Sequence, residues 1–366
     1  MLSIRKISFY IFIVILIQLF FVSTDYSQNS FVYVSLRGSD EIAIFKLNVS
    51  SGSLKLIENE YIPGGPACIT LDPTKNYMYV AQRSSNSISA YNINPHTGHL
   101  NYLNTIKAVD NPVFIATDRT GNFLLSAYYN VGKAAIYQIS SGGKLKGDAV
   151  QILGGYVNPH CIQTDPSNQF LFLSDKGGNK IYQYKFNVRT GKINSNDPKE
   201  ILLAPGTGPR HFTFFNGKNI VYFVNEVGNS IRVYRLNTST GLLSEFQNIS
   251  TLPKDFRDSS KAAEIHLTPD NRYLYVSNRG YESIAAFSVE RKSGRLKAND
   301  YYPTVRNPRA FNIDPSGKFL FAAGENSDSL AIYHINRKSG ELKPLKIIYV
   351  GKTPSWVLPV EFNYKR

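Results

Sequence analysis

The chain has 366 residues, of which 42% are hydrophobic, so it can bury a large core in an ordinary globular fold. Its 41 Lys and Arg exceed its 27 Asp and Glu, giving a formal net charge of +14, yet no run of five or six like charges occurs. This even distribution argues against nucleic-acid binding and favours a small anionic substrate.

Residues 1–24 have the order of a secretory signal. Arg5 and Lys6 precede an apolar stretch from Ile7 to Val22, as in a basic region followed by a hydrophobic region. The stretch is short for a membrane span, which needs about 20 apolar residues. We therefore predict a signal peptide and export to the periplasm or the cell exterior. An uncleaved signal anchor, which would hold the protein at a membrane, is the alternative.

Residues 25–366 are predicted to form one domain, because a single pattern repeats along them seven times. Each repeat has an apolar strand, a polar tip and a second strand. An aromatic or aliphatic residue opens the equivalent strand every 46 to 53 residues: Phe31, Tyr77, Phe123, Phe170, Ile220, Tyr273 and Phe319. Self-similarity at this period, built only from strands, predicts an all-β fold, a seven-bladed β-propeller.

The stretch from residue 66 to residue 106 shows how one repeat is built. Apolar or alternating segments at 67–71, 77–81, 86–92 and 100–106 are separated by polar turns. Asp72-Pro73 begins the first turn, where Asp bonds the local backbone and Pro presets φ. Four antiparallel strands per repeat are typical of a propeller blade.

The two ends of the repeat region are offset from each other. The first repeat begins at a second strand, at Phe31, whereas the chain ends with a first strand that opens at Pro354. We therefore predict that the C-terminal segment supplies the innermost strand of the N-terminal blade. This closure removes the two exposed edges that an open sheet would have.

The two cysteines, Cys68 and Cys161, are too few for a disulfide framework. Each lies two residues after a proline that opens an inner strand, and these strands are two blades apart. Because a disulfide needs Cα atoms within about 7 Å of each other, we predict two buried free thiols.

One fixed position of the repeat, six residues after each opening residue, holds a residue that can carry charge in six of the seven repeats. The set is Arg37, Arg83, Tyr129, Lys176, Glu226, Arg279 and Glu325. Packing between strands does not by itself require charged side chains at one position of the repeat. In a blade, the end of the second strand and the start of the inner strand lie on the same face of the disc. We therefore expect this set to meet the residues after the inner-strand prolines, which include His160, Arg210, His211, Glu264, Arg309 and Trp356, at one mouth of the central channel.

Two of these residues suggest acid–base and anion-binding chemistry. Arg210 follows Pro209 at a strand start, where its planar fork can grip a carboxylate or phosphate. A structural arginine paired with Glu226 is the alternative. His160 is the candidate base or acid, because histidine titrates near neutral pH, and a satisfied interior histidine is its alternative.

Glu264 and His266, which share one face of a strand, could form a metal site together with His211. No His-Glu-x-x-His or cysteine pattern supports it. We therefore predict no metal and no cofactor.

The chain resembles the lactonase family of seven-bladed propellers, from about Phe31 to Phe362. Seven motifs in the same order carry the resemblance: NPHC at 158–161, GPRHF at 208–212, VNE at 224–226, AAEIHLTPD at 262–270, SNR at 277–279, PRAFNID at 308–314 and PSWV at 354–357. The resemblance implies a hydrolase that opens a small, anionic sugar or organic-acid lactone, as propeller-type 6-phosphogluconolactonase does. It implies a small-molecule partner, and we expect a monomer.

The family also resembles fungal enzymes that make and open a muconolactone, whose proposed active-site set is a His, two Arg and a Glu. By motif these fall on His160, Arg210, Glu226 and Arg279, which the resemblance marks as catalytic. Residues expected to bind substrate around them are His211, Glu264, Arg309, Arg83 and Glu325. A muconate-type lactonizing isomerase and an exported, non-enzymatic binding propeller are the alternatives. An exported relative is also expected to meet a different lactone from that of a cytosolic enzyme.

Overall fold

The computed structural model describes residues 26–365, and within this range the backbone forms 28 β-strands and no helix. The strands form seven antiparallel sheets of four strands each. This confirms the predicted seven-bladed propeller. The predicted signal segment, residues 1–24, lies outside the described residues. None of the described residues forms a helix with the length and apolar character needed to cross a membrane.

The first blade contains strands from both ends of the chain. Its members are β1 (Tyr26–Leu36), β2 (Glu41–Leu47), β3 (Leu54–Tyr61) and the inner strand β28 (Pro354–Lys365). The second blade contains β4 (Pro66–Leu71), β5 (Tyr77–Gln82), β6 (Ser87–Ile93) and β7 (Leu100–Lys107). The third contains β8 (Phe114–Thr117), β9 (Phe123–Tyr128), β10 (Lys133–Ile139) and β11 (Leu145–Gly154).

The remaining four blades follow in chain order. The fourth contains β12 (Pro159–Thr164), β13 (Phe170–Asp175), β14 (Lys180–Phe186) and β15 (Ile193–Leu202). The fifth contains β16 (Pro209–Phe214), β17 (Ile220–Asn225), β18 (Ser230–Leu236) and β19 (Leu243–Ser250). The sixth contains β20 (Lys261–Leu267), β21 (Tyr273–Arg279), β22 (Ser283–Val289) and β23 (Leu296–Pro303). The seventh contains β24 (Pro308–Ile313), β25 (Phe319–Gly324), β26 (Ser329–Ile335) and β27 (Leu342–Tyr349).

The C-terminal strand closes the ring as predicted. In the antiparallel pairing of β28 with β1, Phe31 lies opposite Val360 and Ser35 lies opposite Trp356. The ladder is 11 pairs long, because it continues beyond these residues in both directions. An inner strand contributed by the last residues therefore joins the two ends of the described chain.

The core lies between neighbouring blades, where the second strand of each blade is buried on both faces. The residue that opens this strand packs against a glycine turn of the next blade. An added Cβ at Gly98, which has φ +82°, would lie 2.6 Å from the Phe31 ring, so only glycine fits there. Gly52 meets the Phe319 ring in the same way, which joins the seventh blade to the first. The opening residues of the sequence repeat are thus inter-blade contacts.

Cys68 and Cys161 are both buried and form no disulfide bond, as predicted. Burial raises the pKa of each thiol, so the thiolate form is disfavoured and these groups act as small apolar side chains.

Deletion of residues 354–366 is expected to abolish soluble folding, because it removes the inner strand of the first blade and opens the ring. Soluble yield, size-exclusion chromatography and thermal melting monitored by circular dichroism would test this. Replacement of exposed Lys352, just before β28, by Ala is the control and should melt like the parent chain. A truncated chain that remains monomeric and melts cooperatively would show that closure is dispensable.

Candidate active site

A β-bulge at the start of the inner strand aims the candidate residues at the channel. The pairing register slips between Pro159 and Cys161, between Pro209 and Phe212, and between Ala262 and Ile265. Bulges bend a strand and redirect side chains, and they are common beside active sites. The residues inside these three bulges are His160, Arg210, His211, Ala263 and Glu264.

Glu226 is the centre of a buried charge cluster. It follows β17, and its Oε1 lies 2.7 Å from Lys176 Nζ. Its Oε2 lies 3.0 Å from Arg210 Nε and 3.0 Å from Arg279 Nη2. The Arg210 Nε–H is not aligned for a hydrogen bond to this oxygen, so the contact is an ion pair. Three neighbouring blades therefore place three cations around one carboxylate.

The cations decide the protonation state of Glu226. Burial alone would raise its pKa, but Arg210, Arg279 and Lys176 outweigh burial and hold the pKa at about 2. Arg210 is 1% exposed, and burial, Arg279 and Arg309 lower its pKa to about 9. Both groups are therefore charged at neutral pH.

His160 lies on the buried side of the same mouth, in β12. Its ring packs edge-on against Tyr129, with centroids 5.9 Å apart, and against His211, with centroids 4.9 Å apart. Burial and the nearby cations, Arg210 first among them, hold its pKa well below the usual 6.5. Nδ1 has no hydrogen-bond partner among the described residues. His160 is therefore a neutral imidazole with a free ring nitrogen.

A second carboxylate, Glu325, lies across the mouth. Its Oε1 accepts a hydrogen bond of 3.0 Å from Arg37 Nη2 and lies 3.9 Å from Arg309 Nε. Asn307 Nδ2 donates to its Oε2 at 2.8 Å. Both oxygens of this carboxylate are thus hydrogen-bonded by Arg37 and Asn307, and its contact with Arg309 is only a long ion pair.

Arg83 has no carboxylate partner among the described residues. Its Nε donates to Asn111 Oδ1 at 2.7 Å, and burial, Arg309 and Arg37 lower its pKa to about 10. Arg83, Arg210 and Arg309 line a small recess with Ser355 and Trp356, which we call the mouth recess. Three guanidinium groups converge there without a carboxylate in the wall, so the recess is suited to an anion.

Positive charge outnumbers negative charge among the candidate side chains described above. The cations are Arg37, Arg83, Lys176, Arg210, Arg279 and Arg309, and the carboxylates are Glu226 and Glu325. Six positive and two negative groups leave a surplus of four positive charges. Such a field attracts small anions.

His211 forms part of the floor of this mouth. Its ring centroid lies 5.2 Å from that of Phe114 and 5.9 Å from that of Trp356. His211 and Trp356 line both the mouth recess and a larger cavity below, which we call the lower chamber. The rings of Phe114, His160, His211 and Trp356 thus form a partition across the channel.

Glu264 lies on the far side of His211 from the mouth. His211 Nδ1 donates to Glu264 Oε1 at 2.8 Å, and Glu264 lines the lower chamber and not the mouth recess. The structure therefore brings Arg210, Glu226 and Arg279 into contact but places Glu264 beneath them. His266 Nε2 lies 3.7 Å from Glu264 Oε1. Within residues 26–365, no group of three His, Cys, Asp or Glu side chains is arranged to hold a metal ion.

Lys176 was predicted to reach the mouth, as part of the charged register, but was given no catalytic or substrate-binding role, and Asn307 was not predicted. Lys176 ion-pairs with Glu226, and Asn307 holds Glu325. Asn307 lies in the turn before β24 and carries no charge, so the register gave no signal for it.

Comparison with known proteins gives one family. The family description "Lactonase, 7-bladed beta-propeller" matches residues 25–116 and 102–359. A protein of Enterobacter sp. (strain 638) named 6-phosphogluconolactonase is 33% identical over 283 residues, which is 77% of this chain and 84% of that protein. The Pectobacterium carotovorum protein of the same name is 32% identical over 58% of this chain, and the match spans 63% of its length.

A solved structure has the same architecture. The periplasmic gluconolactonase of Pseudomonas aeruginosa superposes with a TM-score of 0.85 at 25% identity, over 91% of this chain and 99% of that one. The match covers nearly the whole described chain, so all seven blades correspond.

Acid is expected to destabilise the protein in two stages. His211 has a pKa of about 4 because burial and Arg210 lower it from 6.5, so its contribution is complete above pH 6.5 and is lost as pH falls toward 4. The pKa of Glu226 is about 2 instead of 4.5, so its contribution, on the order of 3 kcal/mol, is lost between pH 4.5 and 2. Urea unfolding at a series of pH values would measure both stages.

In this series, Glu226→Gln should reduce, without abolishing, the dependence of the free energy of unfolding on pH below pH 4.5, because Glu264 also has its pKa lowered to about 2. The stage above pH 4.5 should remain. Glu245→Gln, on an outer strand, is the control. An unchanged slope below pH 4.5 in Glu226→Gln would contradict the assignment of this stage to Glu226.

Proposed function

The chain belongs to the lactonase family of seven-bladed β-propellers, and we propose that it is a hydrolase that opens the ring of a small anionic lactone. The observation that carries the proposal is the mouth itself. A neutral His160 lies beside the Glu226 cluster, among candidate side chains that carry more positive than negative charge. A base that activates water and fixed positive charge that stabilises the oxyanion both lower the barrier to ester hydrolysis at neutral pH.

The anionic substituent of the lactone binds to the free guanidinium donors of the mouth recess. Arg83 and Arg309 are the best placed, because neither has a close carboxylate partner. A planar guanidinium can bind a carboxylate or phosphate through two parallel hydrogen bonds. This contact fixes the lactone ring toward His160 and the Glu226 cluster.

His160 acts on water as a general base. Its neutral imidazole accepts a proton from the water while the water oxygen bonds to the lactone carbonyl carbon. The carbonyl oxygen becomes an oxyanion, which Arg210 and Arg279 stabilise with preorganised positive charge. The intermediate collapses with cleavage of the bond between the carbonyl carbon and the ring oxygen. That oxygen takes the proton from His160, and the product is the open hydroxy acid.

Glu226 orients the two arginines. Its Oε2 contacts both Arg210 and Arg279 at 3.0 Å, while Lys176 satisfies Oε1. Because its pKa is about 2, Glu226 stays ionised and does not compete as the proton acceptor. His211 supports Arg210 from below, because Nε2 is free to accept when Nδ1 donates to Glu264 and lies 3.4 Å from Arg210 Nη1.

A panel of lactones would test the proposal. Purified protein would be offered glucono-1,5-lactone, its 6-phosphate and a muconolactone, and acid release would be compared with spontaneous hydrolysis. We expect the anionic lactones to be opened fastest. Absence of turnover on every lactone, with tight binding of a ligand at the mouth, would favour a binding propeller. Ring closure of a muconate would favour a lactonizing isomerase.

Export is part of the proposal. The similar Pseudomonas aeruginosa gluconolactonase is periplasmic, and residues 1–24 have a basic and then an apolar segment. An exported enzyme meets a lactone available outside the cytosol. The proposed substrates are therefore anionic sugar or organic-acid lactones of that compartment.

Substitution of Arg210 separates a catalytic role from a structural one. Arg210→Ala is expected to lower kcat/KM by about 100- to 1000-fold, as removal of an oxyanion donor does, and Arg210→Lys should retain part of the activity. Glu226 keeps Lys176 and Arg279 as partners in both variants, so its charge stays compensated. Lactone turnover per folded molecule and thermal melting would be measured together.

The matched control is Arg232→Ala, in the same blade, which removes an ion pair with Glu245 that lies outside the mouth. It should leave turnover unchanged. An Arg210→Ala protein that is strongly destabilised but has normal turnover per folded molecule would show that Arg210 is only structural.

The mature exported protein is expected to begin after about residue 24, because the apolar segment ends at Val22 and small residues follow it. N-terminal sequencing of protein recovered from its native compartment measures this. A chain that still begins at Met1 and sediments with membranes would indicate a signal anchor.

A further inference from the structure

The lower chamber differs in chemistry from the mouth above it. It is a cavity of about 220 Å³, lined by Thr70, Phe114, Gln163, His211, Glu264 and Trp356 among others. Its lining contains no Lys or Arg, whereas three arginines line the mouth recess. The partition of aromatic and imidazole rings thus separates a cationic space from a space whose one formal charge is negative.

That charge is Glu264. Burial alone would raise its pKa, but His211, His266 and Arg210 lower it to about 2, so the carboxylate is ionised at neutral pH. Oε1 accepts hydrogen bonds from His211 Nδ1 at 2.8 Å and from the Ile265 backbone N–H at 3.2 Å. Oε2 accepts none from any residue that the structure describes. Oε2 is not among the fully buried unpaired atoms, and Glu264 lines the chamber, so this oxygen is available to a ligand there.

The walls around Glu264 are suited to a cation with an apolar shell. Phe114 and Trp356 pack edge-on at 6.1 Å and form one side of the chamber. Aromatic faces attract ammonium groups electrostatically, most strongly where water is excluded. The two imidazoles, His211 and His266, have lowered pKa values because they are buried, so they do not oppose a cation with charge of their own.

The basic side chain of the groove next to the chamber, Arg119, is already hydrogen-bonded to the backbone. The neighbouring groove shares Gln163 and Thr213 with the chamber and contains Arg119. The guanidinium of Arg119 donates to the backbone carbonyls of Thr164 and Asp165. It is therefore held against the inner strand and lies outside the chamber lining.

We propose that the lower chamber is a second ligand site, which binds a small organic cation of the alkylated-ammonium class between the Glu264 carboxylate and the rings of Phe114 and Trp356. The site is distinct from the lactone site, because the partition lies between them. It does not depend on the proposed hydrolase activity.

The chain carries its own reporter for this site. Trp356 is the single tryptophan of the sequence, and it lines the chamber. Tetramethylammonium chloride would be titrated into the purified full chain after dialysis against EDTA, with tryptophan emission as the readout. We expect a saturable change in emission. Neutral tert-butanol, which has a similar shape, and sodium chloride at equal ionic strength should produce none.

Variants assign the binding to the chamber. Glu264→Gln keeps the shape but removes the charge, and it should weaken tetramethylammonium binding by about tenfold or more. Glu245→Gln, on an outer strand, should leave binding unchanged. If Glu264→Gln does not fold, Phe114→Leu, followed by calorimetry, removes one aromatic wall and should weaken binding while the carboxylate remains.

Three results would overturn the proposal. One is the absence of saturable binding of tetramethylammonium at millimolar concentration. Another is equal binding to the parent chain and to Glu264→Gln. The third is saturable binding of Zn²⁺, lost on His266→Ala, without any binding of tetramethylammonium, since that result would make the chamber a metal site. All three are measured without a lactone, so they are independent of the hydrolase assay.

Discussion

The last described strand of the chain, β28, pairs with the first, β1, and the other blades depend on this pairing. A blade buries its faces only against its neighbours, so a missing inner strand in the first blade would expose the seventh blade and the second as well. The contact of Gly52 with Phe319 repeats the inter-blade glycine contact across the junction. The same strand brings Ser355 and Trp356 to the mouth recess. The site is therefore completed only when the two ends of the sequence have met, which is a long-range event in folding.

The mouth buries several positive side chains close together, and their desolvation and mutual repulsion cost free energy. Two carboxylates, Glu226 and Glu325, hold most of the cations in place, and each is already bonded on both oxygens. The arginines without a close acid, Arg83 and Arg309, retain unfilled donors. Desolvated charge of this kind stabilises the fold little by itself. It is preorganised for a negative group that arrives from solution, which is how fixed charges lower a reaction barrier.

The sequence predicted the architecture because its repeat reflects a physical contact. The opening residues from Phe31 to Phe319 recur because each meets a glycine turn of the next blade. The charged register predicted which residues share a face, since Pro209 pairs with Asn225 and Lys261 pairs with Arg279 at that edge of their sheets. The sequence could not predict how far each bulge rotates the chain. The bulge after Pro209 spans two residues, so Arg210 and His211 both reach the channel, whereas regular alternation would send one of them away.

For the same reason, the sequence could not predict how deep in the channel Glu264 lies. Its bulge also spans two residues, Ala263 and Glu264, and no side-chain pattern distinguishes a bulge that faces the mouth from one that faces the chamber below. The partition of Phe114, His160, His211 and Trp356 likewise joins rings from four blades that are far apart in sequence. The linings of the mouth recess and of the lower chamber accordingly share only His211 and Trp356. Under the proposed hydrolase function, an open-chain acid that accumulates outside would slow its own formation by occupying the arginines that its precursor needs.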